Sequence, residues 1–223
     1  MRILELFSGT GSVGRAASEM GHEVMSLDIS NKYNPTFVAN VLEFDFSIFP
    51  RGYYDLIWAS PPCEKYSIAP CHMLSQEERR QRAEEANAVT RKTLEVIETL
   101  RPKWFAIENP ASSAIWKQGI FDHLPKPKKV SYCMYSTWGY RKNTYICTNI
   151  PFENKYCKGD CGYIQTFVHD GKTRRHHISV AKQGVSAHCK DLGVQNTTHS
   201  KYELYRVPEK LIKDILQATS TQD

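Results

Sequence analysis

Short apolar runs and helix-spaced apolar positions alternate along the first 150 residues. The apolar runs are bounded by glycine, proline or polar residues and predict buried strands at residues 2–7, 22–28, 37–42, 54–59 and 104–107. Apolar side chains at helical spacing predict helices over residues 12–20 and 75–100, and Ser75 followed by Glu78 is typical of a capping box. Strands that alternate with helices in this way predict an α/β fold with a mostly parallel sheet.

The pattern changes after residue 151. Residues 155–189 are rich in glycine, histidine, lysine and cysteine and lack extended apolar periodicity, so we expect a small subdomain or an ordered loop there. Residues 209–218 again show helical spacing, and Pro208 lies near the first turn, where a helix tolerates proline best. We therefore predict three parts: a large domain (1–150), a small subdomain (151–205) and a C-terminal helix that packs back on the large domain (206–219).

Composition and charge limit the class of protein. The 223 residues include 29 Lys and Arg against 24 Asp and Glu, and the net charge of +5 slightly favours polyanionic partners. Seven cysteines without a repeating framework favour a reducing compartment, and we expect a soluble, intracellular protein. No apolar run approaches the roughly 18 residues that a membrane span needs, and the first residues lack the apolar core of a secretory signal.

The first candidate site is a glycine turn, Phe7-Ser8-Gly9-Thr10-Gly11, between a strand and a helix. This arrangement brings backbone N–H groups and a helix N-terminus to a ligand. Asp28 ends the next strand about 20 residues later, where a carboxylate can accept hydrogen bonds from ribose hydroxyls. The turn lacks both the Gly-Lys-Ser/Thr of a phosphate loop and the full GxGxxG of a dinucleotide site. Together with Asp28 it predicts a nucleoside cofactor; the alternative is a structural turn, since tight turns use glycine anyway.

Two further strand ends carry reactive side chains. Cys63 follows two prolines directly after the strand at residues 54–59, and Glu108 ends the strand at residues 104–107. Most cysteines are inert small apolar residues, but a cysteine in a rigid loop at a strand end is a candidate nucleophile. Buried glutamate is uncommon unless it is paired or functional. The carboxyl ends of parallel strands meet at one edge of a sheet, so we expect Asp28, Cys63 and Glu108 to converge there.

At these residues the chain resembles the DNA (cytosine-5) methyltransferases, over most of residues 1–150, and it is most like the short enzymes of large DNA viruses and phages. The glycine turn resembles their S-adenosylmethionine loop. The segment Pro61-Pro62-Cys63-Glu64-Lys65-Tyr66-Ser67 is similar to their PCQxxS nucleophile loop, and Glu108-Asn109-Pro110 is similar to their ENV motif.

The resemblance implies a Rossmann-like S-adenosylmethionine-dependent methyltransferase fold, with helices on both faces of a mostly parallel sheet and a small C-terminal subdomain. Residues 1–150 would then bind the cofactor and catalyse the reaction, and residues 151–205 would contact the target. The implied reaction moves a methyl group from S-adenosylmethionine to carbon 5 of a cytosine flipped out of duplex DNA, through a covalent cysteine adduct. A viral source would place the protein in the cytoplasm or nucleus of the infected host.

The resemblance also implies roles for individual residues. Cys63 would be the nucleophile, Glu108 would contact the cytosine ring, and Lys142 would replace a family arginine. Cofactor binding would fall to Phe7, Ser8, Gly9, Thr10, Gly11, Asp28, Ile29, Asn40, Val41, Ser60 and Pro61. Nucleic-acid contacts are expected from Ser67 and Arg141, and the basic stretch after residue 171 adds Arg174 and Arg175, which suit a phosphate backbone unless they are only a solvated face.

The chain departs from the family pattern at several places. The segment Tyr140-Arg141-Lys142-Asn143-Thr144 stands in place of QxRxR, and lysine lacks the bidentate fork of arginine. Glu64 replaces a glutamine, and Asn40 replaces an aspartate. Only residues 151–205 remain for target recognition, which favours a short target such as CpG. Two alternatives stay open: methylation of RNA or of free cytidine nucleotides, and a non-catalytic nucleic-acid-binding relic.

A final cluster raises the question of a metal. Cys157 and Cys161 flank a glycine-containing turn, and the downstream candidates are His176, His177, His188 and Cys189. Zinc on Cys157, Cys161 and His177 is one interpretation, because thiolates and imidazoles are its usual ligands. The other is a reduced, loop-rich subdomain whose histidines meet phosphate or solvent. The sequence does not indicate an oligomeric state.

Overall fold

A seven-stranded sheet forms the centre of the computed structural model, which describes residues 1–66, 75–169, 171–179, 181 and 199–220. Its strands are β1 (Arg2–Leu6), β2 (Glu23–Asp28), β3 (Phe37–Val38), β4 (Leu56–Ala59), β5 (Trp104–Pro110), β6 (Lys128–Ser131) and β7 (Asn143–Thr148). A separate hairpin consists of β8 (Ile164–His169) and β9 (Lys172–His177). The helices are α1 (Ser12–Glu19), α2 (Gln76–Leu100), α3 (Lys201–Tyr205) and α4 (Glu209–Ser220).

The sheet has the strand order β3-β2-β1-β4-β5-β7-β6. The first five strands in chain order pair in parallel, whereas β7 is antiparallel to both β5 and β6. The prediction of an α/β fold with a mostly parallel sheet is therefore confirmed. The order places the ends of β2, β1, β4 and β5 next to one another.

Helices cover both faces of this sheet because side chains alternate along each strand. On β4, Leu56 and Trp58 pack in a core with α1 and α4, whereas Ile57 and Ala59 pack in the opposite core with α2. None of the helices in the described part of the chain is long and apolar enough to cross a membrane. The division of the chain into three parts stays a prediction.

Local sequence explains where several elements begin and end. The capping box predicted at α2 is present: the Glu78 N–H donates to Ser75 Oγ, and the Ser75 N–H donates to the Glu78 carboxylate. The predicted strand at residues 37–42 was too long, since β3 ends at Val38. After β3 the polypeptide turns at Asn40, whose side-chain oxygen accepts the Leu42 N–H at 3.1 Å.

Other boundaries shift for tertiary reasons. β5 continues to Pro110, beyond the predicted end at Ile107, because the antiparallel strand β7 pairs with it as far as Pro110. The region after residue 151 contains the β8–β9 hairpin, which apolar periodicity did not indicate. The hairpin escaped prediction because β9 is largely exposed and carries charged residues.

Candidate active site

Four parallel strands reach the same level of the sheet near their carboxyl ends. Leu27 on β2, Leu6 on β1, Ala59 on β4 and Ile107 on β5 are consecutive partners in the strand register. The residues that follow them therefore lie side by side at the same edge: Asp28, Phe7, Ser60 and Glu108. The strand register therefore brings these strand ends together, as the sequence predicts.

A cavity of about 890 Å³ opens at this edge. Its volume falls in the range of small-molecule and cofactor sites. The predicted site residues that line it are Phe7, Ser8, Gly9, Thr10, Ser60, Pro61, Cys63, Glu108 and Lys142. The candidate nucleophile and the glycine loop thus share one cavity.

The glycine loop has a backbone that ordinary residues rarely adopt. Gly9 and Gly11 have φ values of 46° and 67°, and Phe7, which is not a glycine, has a φ of 58°. The Gly9 N–H donates to one carboxylate oxygen of Asp28 at 2.8 Å, and the Ser30 N–H donates to the other at 2.8 Å. These bonds hold Asp28 against the loop, so the carboxylate and the glycine turn form one rigid unit.

A second, shallower groove adjoins this unit and is lined by Ile29 and Asn40. Ile29 is 73% exposed, so its side chain is accessible to a ligand in this groove. The Asn40 amide donates to the Glu43 carboxylate at 3.0 Å. Val41 packs into the core beneath, so its side chain does not face the groove.

Cys63 lies half-buried in the loop after β4. Burial raises the pKa of its thiol, the Glu108 carboxylate raises it further, and the Lys142 ammonium group lowers it. One turn later the Tyr66 hydroxyl donates to Asn87 on α2 at 2.8 Å and so anchors the loop. The thiol is therefore held in place but is mostly protonated in the free protein.

Glu108 is buried, at 7% exposure, and its partner is Tyr132. The fully buried Tyr132 hydroxyl donates to Glu108 Oε1 at 3.0 Å, and the Lys142 ammonium lies 5.0 Å from the centre of the Tyr132 ring. Lys142 also donates to the Leu204 carbonyl at 2.8 Å. Tyr132 therefore links the candidate acid to the candidate cation.

Asn109 joins the ends of two strands. Its side-chain N–H donates to the Pro61 carbonyl at 2.7 Å and so ties β5 to the Pro-Pro-Cys loop. Its side-chain oxygen is buried and has no hydrogen-bond partner among the described residues. An unpaired buried acceptor is uncommon in folded proteins, and this one belongs to a residue that lines the cavity.

Two side chains that line this cavity, Glu5 and Tyr205, and a third behind it, Tyr132, were not predicted from the sequence. Glu5 on β1 accepts the Gly14 N–H at 2.9 Å, and burial raises its pKa to about 8 although that bond opposes the shift. Its signal in the sequence was a carboxylate inside an apolar strand. Tyr132 and Tyr205 left no such signal, because their partners Glu108 and Glu64 are distant in the chain; the Tyr205 hydroxyl donates to the Glu64 carboxylate.

A basic groove leads away from the cavity towards the hairpin. Exposed Arg141 precedes Lys142 and lines this groove together with Lys158 and Arg175. Arg174 and Arg175 are exposed on β9, and Arg175 also donates to the Gly159 carbonyl at 2.9 Å. Of the residues predicted to contact nucleic acid, Ser67 lies outside the described residues.

The predicted thiol and imidazole groups converge with a fourth group. Cys157, Cys161 and His177 lie beside Cys133, and the four ligand atoms are within 4.8 Å of one another. Cys133 follows β6 and was not considered from the sequence, because it lies 24 positions before Cys157 in the predicted large domain. His188 and Cys189 lie outside the described residues.

Solved structures of methyltransferases resemble this fold at low sequence identity. Entamoeba histolytica methyltransferase EhMeth aligns with 76% of this chain and 61% of its own, at 15% identity and a TM-score of 0.49. An S-adenosylmethionine-dependent methyltransferase from Archaeoglobus fulgidus aligns with 66% of this chain and 85% of its own, at 12% identity and a TM-score of 0.43.

Sequence comparisons are more specific. A family model described as C-5 cytosine-specific DNA methylase matches residues 1–112. A protein of Frog virus 3 (isolate Goorha), named "Probable DNA (cytosine-5)-methyltransferase", is 32% identical over 235 aligned positions, which cover 97% of this chain and 99% of the viral protein. The matched region contains the glycine loop, Cys63 and Glu108. The chain therefore belongs to the C-5 cytosine-specific DNA methylase family, whose reaction is the methylation of cytosine in DNA.

Proposed function

We propose that this protein transfers a methyl group from S-adenosylmethionine to carbon 5 of cytosine in DNA, through a covalent bond between Cys63 and the base. The observation that carries the proposal is the shared cavity, where the glycine loop, Cys63 and Glu108 meet at one sheet edge. A cofactor and a base held there would have their reacting atoms close together.

Two adjoining parts of the site support S-adenosylmethionine as the cofactor. The Asp28 carboxylate would accept the ribose hydroxyls, and Ile29 and Asn40 line the groove where the adenine would lie. Of the glycine-loop residues, Phe7, Ser8, Gly9 and Thr10 face the large cavity together with Ser60 and Pro61, whereas Gly11 is not among its lining residues. When bound, this cofactor supplies an electrophilic methyl group on a sulfonium centre.

The chemistry of cytosine requires a nucleophile such as Cys63. Carbon 5 is a poor nucleophile until a group adds to carbon 6. After the Cys63 thiol has given its proton to solvent, the thiolate would form that bond with its own electron pair. The π electrons between carbons 5 and 6 would shift towards carbon 4 and N3, which would leave carbon 5 as an enamine carbon able to attack the methyl group. A base, for which solvent water suffices, would then take the carbon 5 proton, and expulsion of the Cys63 thiolate with return of the N3 proton to Glu108 would restore the ring.

Glu108 would serve as the acid that assists this addition. A protonated Glu108 would donate to N3 of cytosine, where negative charge develops as the thiolate adds, while Tyr132 holds the carboxyl group in place. A proton on Glu108 also removes the charge that raises the pKa of Cys63. Protonation of Glu108 would therefore favour the thiolate at the moment when the base is bound.

The basic groove supports a polyanionic substrate. Arg141, Lys158 and Arg175 line it beside the cavity, where they would contact the phosphates of a strand whose cytosine has been flipped out. Residues 151–205 leave little chain for reading a long sequence. We therefore propose duplex DNA with a short target such as CpG.

The test is transfer of a labelled methyl group from S-adenosylmethionine to duplex DNA, single-stranded DNA, RNA and cytidine nucleotides, compared side by side. We expect incorporation into DNA as 5-methylcytosine, since the groove suits phosphates and the cavity suits a flipped base. Methylation of RNA or nucleotides with none of DNA would overturn the substrate but not the chemistry. Bisulfite sequencing of a plasmid methylated by the protein would reveal the target sequence. A long asymmetric consensus would contradict the proposal of a short target.

Replacement of Asp28 should weaken cofactor binding. Asp28→Ala removes the ribose acceptor, and the loss of one charge-assisted hydrogen bond, about 1.5–3 kcal/mol, corresponds to an increase in Kd of about 10- to 150-fold. Calorimetry with the full chain measures this change. Asp55→Ala is the matched control, because Asp55 also accepts a backbone N–H, from Arg2 at 2.6 Å, but lies at the opposite edge of the sheet. Equal losses in both variants would argue against a role for Asp28 in the site.

A further inference from the structure

In the part of the hairpin region that the structure describes, few side chains are buried and few of those are apolar. Among the described residues between 153 and 206, the buried side chains are Cys157, His177 and Ser179, and none of the three apolar core clusters includes a residue from this stretch. The segment nevertheless contains an ordered hairpin with a complete register from Ile164 to His177. A small unit with so little core usually needs a covalent or metal link.

Three cysteines and a histidine meet where such a link would act. Cys133 lies in the turn after β6, Cys157 and Cys161 lie in the segment that precedes β8, and His177 ends β9. These positions belong to three separate stretches of chain. A single ion bound by all four side chains would fasten both ends of the hairpin segment to the edge of the main sheet.

The distances match the edges of a tetrahedral zinc site. With Zn–S bonds of about 2.3 Å and a Zn–N bond of about 2.0–2.1 Å, sulfur and nitrogen ligands in a regular tetrahedron are about 3.5 Å apart. His177 Nε2 lies 3.6 Å from Cys157 Sγ and 3.3 Å from Cys161 Sγ. One imidazole nitrogen thus lies at ligand-to-ligand distance from two thiols at once.

Backbone groups around the cluster hold its ligand side chains in position, as they do in known metal sites. The Gly159 N–H donates to Cys157 Sγ at 3.3 Å, and the Cys157 N–H donates to Ser131 Oγ at 3.2 Å, so the ligand loop is joined to β6. Four protein ligands leave no open coordination position, which is the arrangement of structural rather than catalytic zinc.

We propose that Cys133, Cys157, Cys161 and His177 bind one structural Zn²⁺ ion that anchors the β8–β9 hairpin to the sheet. The three thiols lose their protons on binding, and Nε2 of neutral His177 supplies the fourth bond. The ion lies beside the basic groove, because Cys157 and His177 line that groove with Arg141 and Arg175. Its binding is independent of the proposed function, which neither requires zinc nor predicts it.

Elemental analysis of the full chain, purified without chelator and without a metal-affinity tag, should find about one zinc per protein. Cys133→Ala should lose that zinc, whereas Cys147→Ala should keep it. Cys147 is the matched control: it is a buried cysteine on β7 whose thiol donates to the Pro125 carbonyl outside the cluster. Full zinc content in Cys133→Ala, or a folded wild-type protein that contains no zinc and takes up none when Zn²⁺ is added, would overturn the proposal.

Two further measurements test the proposal even if Cys133→Ala fails to fold. His177→Cys should retain zinc because thiolate can replace imidazole, whereas His177→Ala should lose it; a histidine with only a packing role would not produce this difference. In the wild type, removal of zinc by a chelator should speed amide exchange in residues 155–179 and leave β1 and β4 protected. Unchanged exchange in residues 155–179 after complete removal would contradict the anchoring role.

Discussion

Cys63→Ser is expected to abolish methyl transfer while the protein still folds and binds S-adenosylmethionine. The change is nearly isosteric, but a serine hydroxyl is far less ionised than a thiol near neutral pH, so we expect the rate to fall by at least about 10³-fold. Transfer of a labelled methyl group to DNA measures the rate, and calorimetry measures the cofactor affinity. Cys147→Ser controls for the loss of a buried thiol away from the cavity and should remain active.

Trapping a protein–DNA adduct tests whether Cys63 forms a covalent bond with the base. When the target cytosine carries fluorine at carbon 5, elimination is blocked, because fluorine cannot leave as a proton does. The wild-type protein with cofactor should then form a denaturant-resistant adduct with DNA, and peptide mapping should locate it at Cys63. An adduct that persists in Cys63→Ala would identify a different nucleophile and refute this assignment.

Glu108→Gln should have two opposite effects. It keeps the shape of the side chain but removes the acid, so methyl transfer should slow by about 10²–10⁴-fold. It also removes a negative charge that raises the pKa of Cys63, so in the free protein a larger fraction of this thiol should be ionised at neutral pH. Alkylation of Cys63 by iodoacetamide, followed by peptide mass spectrometry, should therefore be faster in the variant than in the wild type.

Two other charged side chains near Cys63 provide a comparison for Glu108. Glu64 also raises the pKa of Cys63, but its effect is smaller than that of Glu108, so Glu64→Gln should accelerate alkylation less than Glu108→Gln. Lys142→Met should have the reverse effect and slow alkylation, since the ammonium group lowers this pKa. Slower alkylation in Glu108→Gln would mean that the Glu108 charge does not control the Cys63 thiol.

Much of the site could be predicted because its residues follow strand ends. The glycine turn, Asp28, Cys63 and Glu108 each lie next to a local apolar run, and parallel pairing brings such ends to one edge. The family resemblance then added what spacing alone does not show, namely the chemistry expected of Cys63 and Glu108. Local pattern and family motif therefore point to the same cavity.

The errors came from places where local pattern is weak. The predicted strand at residues 37–42 overran because the Asn40 side chain forms a turn that apolar periodicity does not register. The β8–β9 hairpin was missed because a largely exposed hairpin needs no apolar alternation. In both cases polar groups, rather than burial, decided the path of the chain.

By itself the sequence determined the parallel α/β sheet and the strand ends that carry the candidate chemistry, because these depend on short stretches of chain. Only the tertiary structure brought Tyr132 to Glu108 and Cys133 to Cys157, Cys161 and His177. These contacts join segments that are more than 20 residues apart, and they depend on how β6 and β7 turn back antiparallel beside β5. Burial, which raises the pKa of Glu5 and of Cys63, also exists only once the layers have packed, since desolvation is a property of the assembled fold.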